Sequence, residues 1–382
     1  MTQAELTEYN LGKNLDSLIN LDPRGYGVCR ILYDEACKKS GGPLTTQAAR
    51  SLLSVLKDGD TVFIITGFVL PPYLKAETDG PVGAAALARS LIITRNVKPV
   101  FVLPGEAVPA MRKLCAVMGF HLYDSPDMLR SPLSAGIVEF TKSAAGAAEA
   151  AEALCRDAKK SGCFPKYCIA VEAPGANKKG VYHNAAGFDV SDLEAKSDVL
   201  FSHLRKKGVP ALAIGDLGNE CGMALLSPHL ERRVPCAGPG KCSCGCGGGI
   251  AAASSADVLV TATVSNWGAY ALCAALAHLA KNHEALYPAD LEERALTAAC
   301  EYGLIDMYGW QIPSVDGMNL VKNKALITLM NECVLSADAL KETCKTWFDK
   351  TIELGYFDNL VFQPKKPERT KPERAKPAGK TR

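Results

Sequence analysis

The chain has 382 residues, of which 48% are apolar, so it can bury a sizeable core in one large domain or two smaller ones. Its formal net charge of +2 disfavours nucleic-acid binding, and no apolar run is long enough to cross a membrane. The fifteen cysteines lie in a long chain whose start lacks the apolar centre of a signal peptide. This combination indicates reduced thiols in a cytoplasmic protein rather than a disulfide framework.

Short apolar runs alternate with helical stretches along most of the chain. The predicted strands are, in order, TVFIITGF, KPVFVLPG, YCIAVEAPG, ALAIGDLGNE and DVLVTATVSN. Between them lie QAARSLLSVLK, GAAALARSLII, AAGAAEAAEALCRDAKK and SDVLFSHLRKKG, which have helical spacing. Because the strands are apolar on both faces, the pattern predicts an α/β fold, a mainly parallel sheet with helices on both faces. The stretch NKALITLMNECVLSADALKETCKTWFDKTIEL predicts a C-terminal helical hairpin.

We expect three regions along the chain. Residues 1–29 form an N-terminal segment, residues 30–355 the α/β domain, and residues 363–382 a disordered basic tail. The tail repeats KPER and carries eight basic and two acidic residues from Lys365 onward, with no apolar residue larger than alanine. Such a segment cannot bury a core, so it serves either as a solubilising tail or as an arm for an acidic partner.

Carboxylates follow three of the predicted strands. They are, in chain order, Glu77, Asp79, Glu172, Asp216 and Glu220. Because the carboxyl ends of parallel strands share one edge of a sheet, we expect these acids to meet there. Acids this close repel one another unless some are protonated or a cation lies among them, and oxygen ligands favour Mg²⁺ or Mn²⁺. Any one acid can instead be a helix cap or a solvated side chain, but their repetition at three strand ends favours a metal site.

Five motifs carry a family resemblance. They are TGF, ETDGPVGAAALARSL, GVYHNAAGFDVS, IGDLGNECGM and VSNWGAYAL. In that order they resemble the D-glutamate cyclase family, and the resemblance covers roughly residues 15–350. It implies an α/β fold, conversion of D-glutamate to 5-oxo-D-proline and water, and a carboxylate-rich pocket that holds a divalent cation. It also makes the mitochondrial matrix the alternative compartment, since animal members carry that address.

Cyclisation of glutamate needs a base for the amine, an acid for the departing oxygen and stabilisation of the charge that develops. Together with the resemblance, this chemistry divides the candidate residues into three groups. The predicted metal ligands are Glu77, Asp79, Asp216 and Glu220, with Mg²⁺ or Mn²⁺ as the ion. The catalytic candidates are Glu172, Asp189, His183 and Lys178. The candidate substrate contacts are Gly80, Gly83, Lys179, Asn184, Asn219 and Asn266. His183 can equally be an ordinary surface histidine in a glycine-rich loop.

Four cysteines lie close together in a second glycine-rich segment. They are Cys236, Cys242, Cys244 and Cys246 in VPCAGPGKCSCGCGGGIAAA. Thiolates at this density can hold a structural zinc or another soft metal, but paired C-x₂-C motifs are absent. A loop with free thiols is the alternative interpretation.

Two other functions fit the same residues. One is a metal-dependent phosphate-ester hydrolase, and the other is a non-catalytic protein that binds a small molecule or a metal. We expect a small-molecule substrate, D-glutamate, with neither nucleic acid nor a membrane as partner; the sequence does not predict an oligomeric state. The Asp-Gly pair at Asp316 is interpreted as a turn, and Cys221 as a thiol that packs beneath its loop.

Overall fold

The computed structural model describes residues 2–124, 126–339, 345–355 and 357–358. The strands are β1 (Thr61–Thr66), β2 (Val69–Leu70), β3 (Lys75–Ala76), β4 (Lys98–Leu103), β5 (His121–Tyr123), β6 (Ser134–Glu139), β7 (Tyr167–Val171), β8 (Ala211–Gly215), β9 (Val258–Thr261), β10 (Ser314–Val315) and β11 (Met318–Asn319). Across the described residues, seven of them form one parallel sheet in the order β5-β6-β4-β1-β7-β8-β9. The predicted parallel sheet is confirmed.

Helices surround this sheet. They are α1 (Gln3–Ile19), α2 (Val28–Ser40), α3 (Leu44–Val55), α4 (Pro81–Arg95), α5 (Val108–Met118), α6 (Ala147–Lys160), α7 (Ser197–Lys206), α8 (His229–Arg233), α9 (Ser265–Ala280), α10 (Ala289–Glu301), α11 (Leu320–Asp338) and α12 (Lys345–Glu353). On one face α4 packs against α5 and α9, and on the other α6 packs against α7. Right-handed crossover connections explain why these two groups of helices lie on opposite faces of the sheet. The chain leaves β1 toward one edge of the sheet and leaves β7 toward the other.

The strand order reverses direction between β1 and β7. Ligands of open parallel sheets bind outside the carboxyl ends of the strands at such a switch point. The register aligns these ends, since Thr66 pairs with Val171, and Val171 pairs with Ile214 on the next strand. The loops that follow β1, β7 and β8 therefore open at one place.

Close packing of α4 against α9 fixes the helix ends beside this switch point. A Cβ atom at Gly83 of α4 would lie 2.5 Å from Oδ1 of Asn266 and 3.1 Å from Cβ of Ala269, both in α9. A Cβ at Gly268 would lie 2.6 Å from Cγ2 of Ile214 in β8. A side chain at either position would collide with these atoms, which explains the glycines at 83 in α4 and 268 in α9.

The first helix belongs to the same core as the sheet. Leu11, Leu15 and Ile19 of α1 are buried within the main hydrophobic cluster, and α1 contacts α3, α9 and α11. Helix α1 therefore packs into the same core as the sheet, and the expected division between residues 29 and 30 stays a prediction.

The two C-terminal helices are present as predicted. The first, α11, contacts α1, α9 and α10, and the second, α12, contacts α1. The expected basic tail over residues 363–382 lies outside the described residues. Within the described part of the chain, no helix is both long and apolar enough to span a membrane.

A buried glutamate in α10 gives a stability prediction. The carboxylate Oε2 of Glu292 accepts hydrogen bonds from the hydroxyls of Tyr270 and Tyr287, both at 2.9 Å. Burial raises the pKa of Glu292 from 4.5 to about 7, against the opposing effect of the two tyrosine hydroxyls. The unfolded chain therefore loses this proton at a lower pH than the folded chain, and the stabilisation present below pH 4.5 is lost as pH rises through 7.

We expect Glu292→Gln to remove this pH dependence. Between about pH 5 and pH 8, the difference in free energy of unfolding between the variant and the unchanged protein should shift by about 2–3 kcal/mol in favour of the variant. Urea unfolding of both proteins at the two pH values measures the difference. If the free energies of unfolding of the two proteins changed equally with pH, the pKa of Glu292 would be the same in the folded and the unfolded state.

Candidate active site

Three buried carboxylates meet at the switch point of the sheet. Asp79, Glu172 and Asp216 each offer one oxygen, and these oxygens all lie within 4.8 Å of one another. We call these three residues the acid cluster. Their exposed fractions are 1%, 6% and 5%, so the cluster is nearly closed to solvent. The expectation that acids from distant segments meet at one edge therefore holds for these three.

The strand ends position each carboxylate. Glu172 directly follows β7 and Asp216 directly follows β8, while Asp79 lies in the loop between β3 and α4. Glu172 adopts a left-handed backbone conformation with φ of +41°, which is uncommon for a residue with a side chain. Its Oε2 accepts a hydrogen bond of 2.6 Å from Oγ of Ser265 at the start of α9. The turn and this bond together fix the direction of the carboxylate.

Asp79 and Asn266 cap each other's helices. Asp79 accepts the backbone N–H groups of Ser265 at 3.0 Å and Asn266 at 2.7 Å, at the N-terminus of α9. In return, Oδ1 of Asn266 accepts the N–H groups of Gly80 at 2.9 Å and Gly83 at 2.8 Å, at the N-terminus of α4. The predicted use of these glycine N–H groups to bind a substrate carboxylate would require the Asn266 side chain to turn away.

Glu220, a predicted metal ligand, has its carboxylate bound by the backbone of its own loop. Its carboxylate accepts backbone N–H groups from Asp216 at 3.3 Å, Leu217 at 2.7 Å and Gly218 at 2.6 Å. A carboxylate held by three N–H groups of its own loop acts as a clamp on that loop. Glu220 thus shapes the turn that carries Asp216, and its expected role as a metal ligand stays a prediction.

Mutual repulsion and burial dominate the electrostatics. Burial is the largest cause that raises the pKa of Asp79, Glu172 and Asp216 well above their usual range, and neighbouring carboxylates raise each of them further. Burial likewise raises the pKa of Glu77, and the charges of Asp316 and Asp79 are the next largest causes. Glu77 therefore lies near Asp79 but is not one of the three acids whose oxygens converge, and its expected role as a metal ligand stays a prediction.

An ion pair that the sequence analysis did not anticipate borders the cluster. Nη1 of Arg24 lies 3.1 Å from Oδ2 of Asp316, and Nη2 donates to the carbonyl of Thr263 at 2.6 Å. Although burial alone would lower the pKa of Arg24, Asp316 and Asp216 raise it above its usual value. Asp316 does lie in a turn, but its side chain also faces the acids. Arg24 follows a helix rather than a strand, so no motif marked it.

Four other predicted residues lie in surface turns. Lys178 and Lys179 are exposed, and Nζ of Lys178 pairs with Glu231 at 2.7 Å. Oδ1 of Asn184 accepts N–H groups of its own turn, from residues 186 and 188. Asp189 accepts the Ser191 N–H at 2.8 Å; partial burial raises the pKa of Asp189, but the bonds from Ser191 lower it overall. The expected catalytic and substrate-binding roles of these four residues stay predictions.

His183 lies among cysteines rather than at the acid cluster. Its Nε2 lies 3.1 Å from Sγ of Cys244 and 3.6 Å from Sγ of Cys246. His183 is only 1% exposed, which corrects the interpretation of it as a surface residue. Its expected catalytic role stays a prediction. Asn219 connects the two regions, since its Nδ2 donates to the carbonyl of His183 at 3.0 Å.

The acid cluster suits a hard divalent cation. Carboxylate oxygens are the ligands that Mg²⁺ and Mn²⁺ prefer, and three of them converge within 4.8 Å. Several polar atoms nearby are buried without a hydrogen-bond partner among the described residues, namely Oγ1 of Thr66, Oγ1 of Thr263 and Nε of Arg24. Such atoms are normally satisfied, so they indicate that a bound species completes the site.

Comparisons with known proteins show which family the chain resembles. A family model described as D-glutamate cyclase-like, C-terminal matches residues 15–331. A human protein named D-glutamate cyclase, mitochondrial is 30% identical over 272 residues. This alignment covers 69% of the chain and 38% of the human protein, so the chain spans well under half the length of that relative.

Proposed function

The chain belongs to the D-glutamate cyclase-like family, as its motifs predict, and we propose that it is a lyase that cyclises D-glutamate to 5-oxo-D-proline and water. The observation that carries the proposal is the acid cluster, in which Asp79, Glu172 and Asp216 bring three oxygens within 4.8 Å at the switch point of the sheet. In the reaction, the amine nitrogen bonds to the γ-carboxyl carbon, one carbon–oxygen bond breaks, and the departing oxygen leaves as water. The ammonium group must lose two protons in all to become the lactam N–H, and the departing carboxylate oxygen must gain two to leave as water.

The contacts of each acid in the site indicate which of them is free to exchange protons with the substrate. Glu220 is held by its own loop, and Asp316 is paired with Arg24. Glu77 remains, beside Asp79, and is therefore the acid that we assign to proton transfer with the substrate. Arg24 is the cation that we assign to a substrate carboxylate, because its buried Nε has no hydrogen-bond partner among the described residues.

Asp79, Glu172 and Asp216 would hold a divalent cation such as Mg²⁺ or Mn²⁺. When bound, the ion supplies Lewis-acid polarisation of the γ-carboxylate, which is otherwise a poor electrophile. Glu172 thus changes from the proposed base to a proposed ligand. The reason is its position, since its oxygen lies within 4.8 Å of oxygens of both aspartates.

Removal of divalent cations is expected to reduce turnover of D-glutamate by roughly a hundredfold or more, because Lewis-acid stabilisation is worth several kcal/mol. The protein is treated with EDTA, desalted and assayed for loss of primary amine, then assayed again after addition of Mg²⁺ or Mn²⁺. Recovery with either ion supports the proposal. Full turnover of the metal-depleted protein contradicts the role of the cation.

The same assay with other substrates separates the alternative functions. Loss of primary amine from D-glutamate and not from L-glutamate supports the cyclase. Release of phosphate from a generic phosphomonoester supports the hydrolase, which would use the same carboxylates. No reaction with any of the three compounds supports a non-catalytic binding protein.

The compartment also belongs to this proposal. We propose the cytoplasm, with the mitochondrial matrix as the alternative because the human relative is named mitochondrial. Fractionation of cells that produce the full chain distinguishes the two.

A further inference from the structure

A second cluster of ligand-type side chains lies outside the acid cluster. It contains His183, Cys242, Cys244 and Cys246, and one ligand atom from each lies within 4.8 Å of the others. The histidine comes from the segment after β7, and the cysteines come from the glycine-rich segment before β9. Cys236, which the sequence analysis included, is not part of this group, and His183 takes its place.

The spacing of the four atoms is close to that of a tetrahedral metal site. Sγ of Cys242 lies 3.5 Å from Sγ of Cys246 and 3.7 Å from Sγ of Cys244. Nε2 of His183 lies 3.1 Å from Sγ of Cys244 and 3.6 Å from Sγ of Cys246. Metal–sulfur bonds of about 2.3 Å and metal–nitrogen bonds of about 2.0 Å at tetrahedral angles give ligand–ligand distances of about 3.5–3.8 Å. Little rearrangement is needed to place an ion between them.

The surrounding groups orient the sulfur atoms. Sγ of Cys246 accepts the backbone N–H of Gly248 at 3.3 Å and the side-chain amide of Asn177 at 3.4 Å. Sγ of Cys244 accepts the N–H of Cys246 at 3.5 Å. Hydrogen bonds of this kind stabilise thiolates that bind metals. Gly245, with φ of +78°, supplies a left-handed turn between Cys244 and Cys246.

We propose that His183, Cys242, Cys244 and Cys246 bind one Zn²⁺ ion as a structural site. Three thiolates and an imidazole are soft or intermediate ligands that select zinc over the hard cations suited to the acid cluster. Binding releases the three thiol protons and leaves a complex with a net charge of −1. Four protein ligands fill the tetrahedron, so this ion does not take part in the reaction.

The site joins two long segments that contain little regular structure. The carbonyl of His183 accepts the Nδ2 hydrogen bond of Asn219, which lies in the loop between Asp216 and Glu220. The Ser243 and Cys244 N–H groups both donate to the carbonyl of Gly187, at 3.0 and 3.2 Å. A zinc ion would therefore lock these segments together beside the loop that carries Asp216.

The test uses the full chain and zinc itself as the probe. The protein is purified under reducing conditions, supplied with one equivalent of Zn²⁺, desalted and analysed for metal, and its melting temperature is measured. We expect about one zinc per chain, and a melting temperature that falls when zinc is withdrawn. Cys244→Ser should lose the zinc. Cys236→Ser is the matched control from the same segment and should keep it.

A cobalt spectrum keeps the proposal testable if Cys244→Ser fails to fold. Co²⁺ in the unchanged protein should show intense tetrahedral bands with sulfur-to-metal charge transfer, whereas Co²⁺ held by carboxylates gives weak octahedral bands. Any of three results overturns the proposal: no zinc retained by the unchanged protein, zinc retained by Cys244→Ser, or only octahedral cobalt. Activity with D-glutamate is not the readout, so failure of the zinc site and failure of the proposed cyclase remain distinguishable.

Discussion

Asp216→Asn is expected to lower the turnover of D-glutamate by roughly 10²–10⁴-fold while the protein stays folded. Asparagine has nearly the same shape as aspartate but lacks the charge that would hold a cation beside Asp79 and Glu172. The backbone at this position is fixed independently by Glu220, which accepts the N–H groups of residues 216, 217 and 218. Because Asp216 is among several buried acids that repel one another, removal of its charge should not destabilise the fold.

The measurement is steady-state turnover with D-glutamate at saturating Mg²⁺ or Mn²⁺, with the circular dichroism spectrum as a check of folding. Asp189→Asn is the matched control, since Asp189 is an exposed turn residue that accepts the Ser191 N–H. We expect the control to keep most of the activity. If Asp216→Asn is folded and turns over at the unchanged rate, the acid cluster is not the catalytic centre.

Asn266→Ala is expected to destabilise the protein by about 3–5 kcal/mol. The Asn266 side chain accepts the N–H groups of Gly80 and Gly83 and donates to the carbonyl of Thr78 at 3.0 Å. All of these groups are buried, and alanine leaves each without its partner, at a cost of about 1–3 kcal/mol per group. The cost exceeds that of an ordinary helix cap because water cannot replace the lost bonds.

Asn319→Ala provides the comparison for this effect. Asn319 caps the N-terminus of α11 at the protein surface, where its Oδ1 accepts the Lys322 N–H at 3.2 Å. Its loss should cost about 1 kcal/mol, the usual value for an exposed cap. Urea unfolding of both variants gives the two free energies. Equal costs would mean that the crossing of α4 and α9 does not depend on Asn266.

The sequence predicted the central strands because their apolar runs are continuous and end in glycine or polar residues. β1, β4, β7, β8 and β9 all match predicted runs. It did not predict β5 and β6 at one edge of the sheet. His121 and Tyr123 in β5 are at least partly exposed, and β6 contains serine, glycine and glutamate, so neither strand has the apolar signal of a fully buried one.

Part of the candidate site followed from the sequence for the same reason. Asp79, Glu172 and Asp216 each come after a predicted strand, and parallel strands bring their carboxyl ends to one edge. Position along the chain therefore decides which loops meet. Position does not decide where a side chain points, and Glu220, only four residues beyond Asp216, turns back onto its own backbone.

The remaining features depended on contacts between segments that no local pattern relates. Arg24 meets Asp316 across 292 positions of sequence, and His183 meets Cys244 across 61. Hydrophobic periodicity records only whether a residue faces the core, and a motif records only its near neighbours. The sequence by itself thus determined the five central strands of the sheet, the end of the strands at which the acids meet, and the family. Which polar side chains share a buried site was decided by the tertiary structure, because burial and pairing of charges exist only once distant loops are folded against each other.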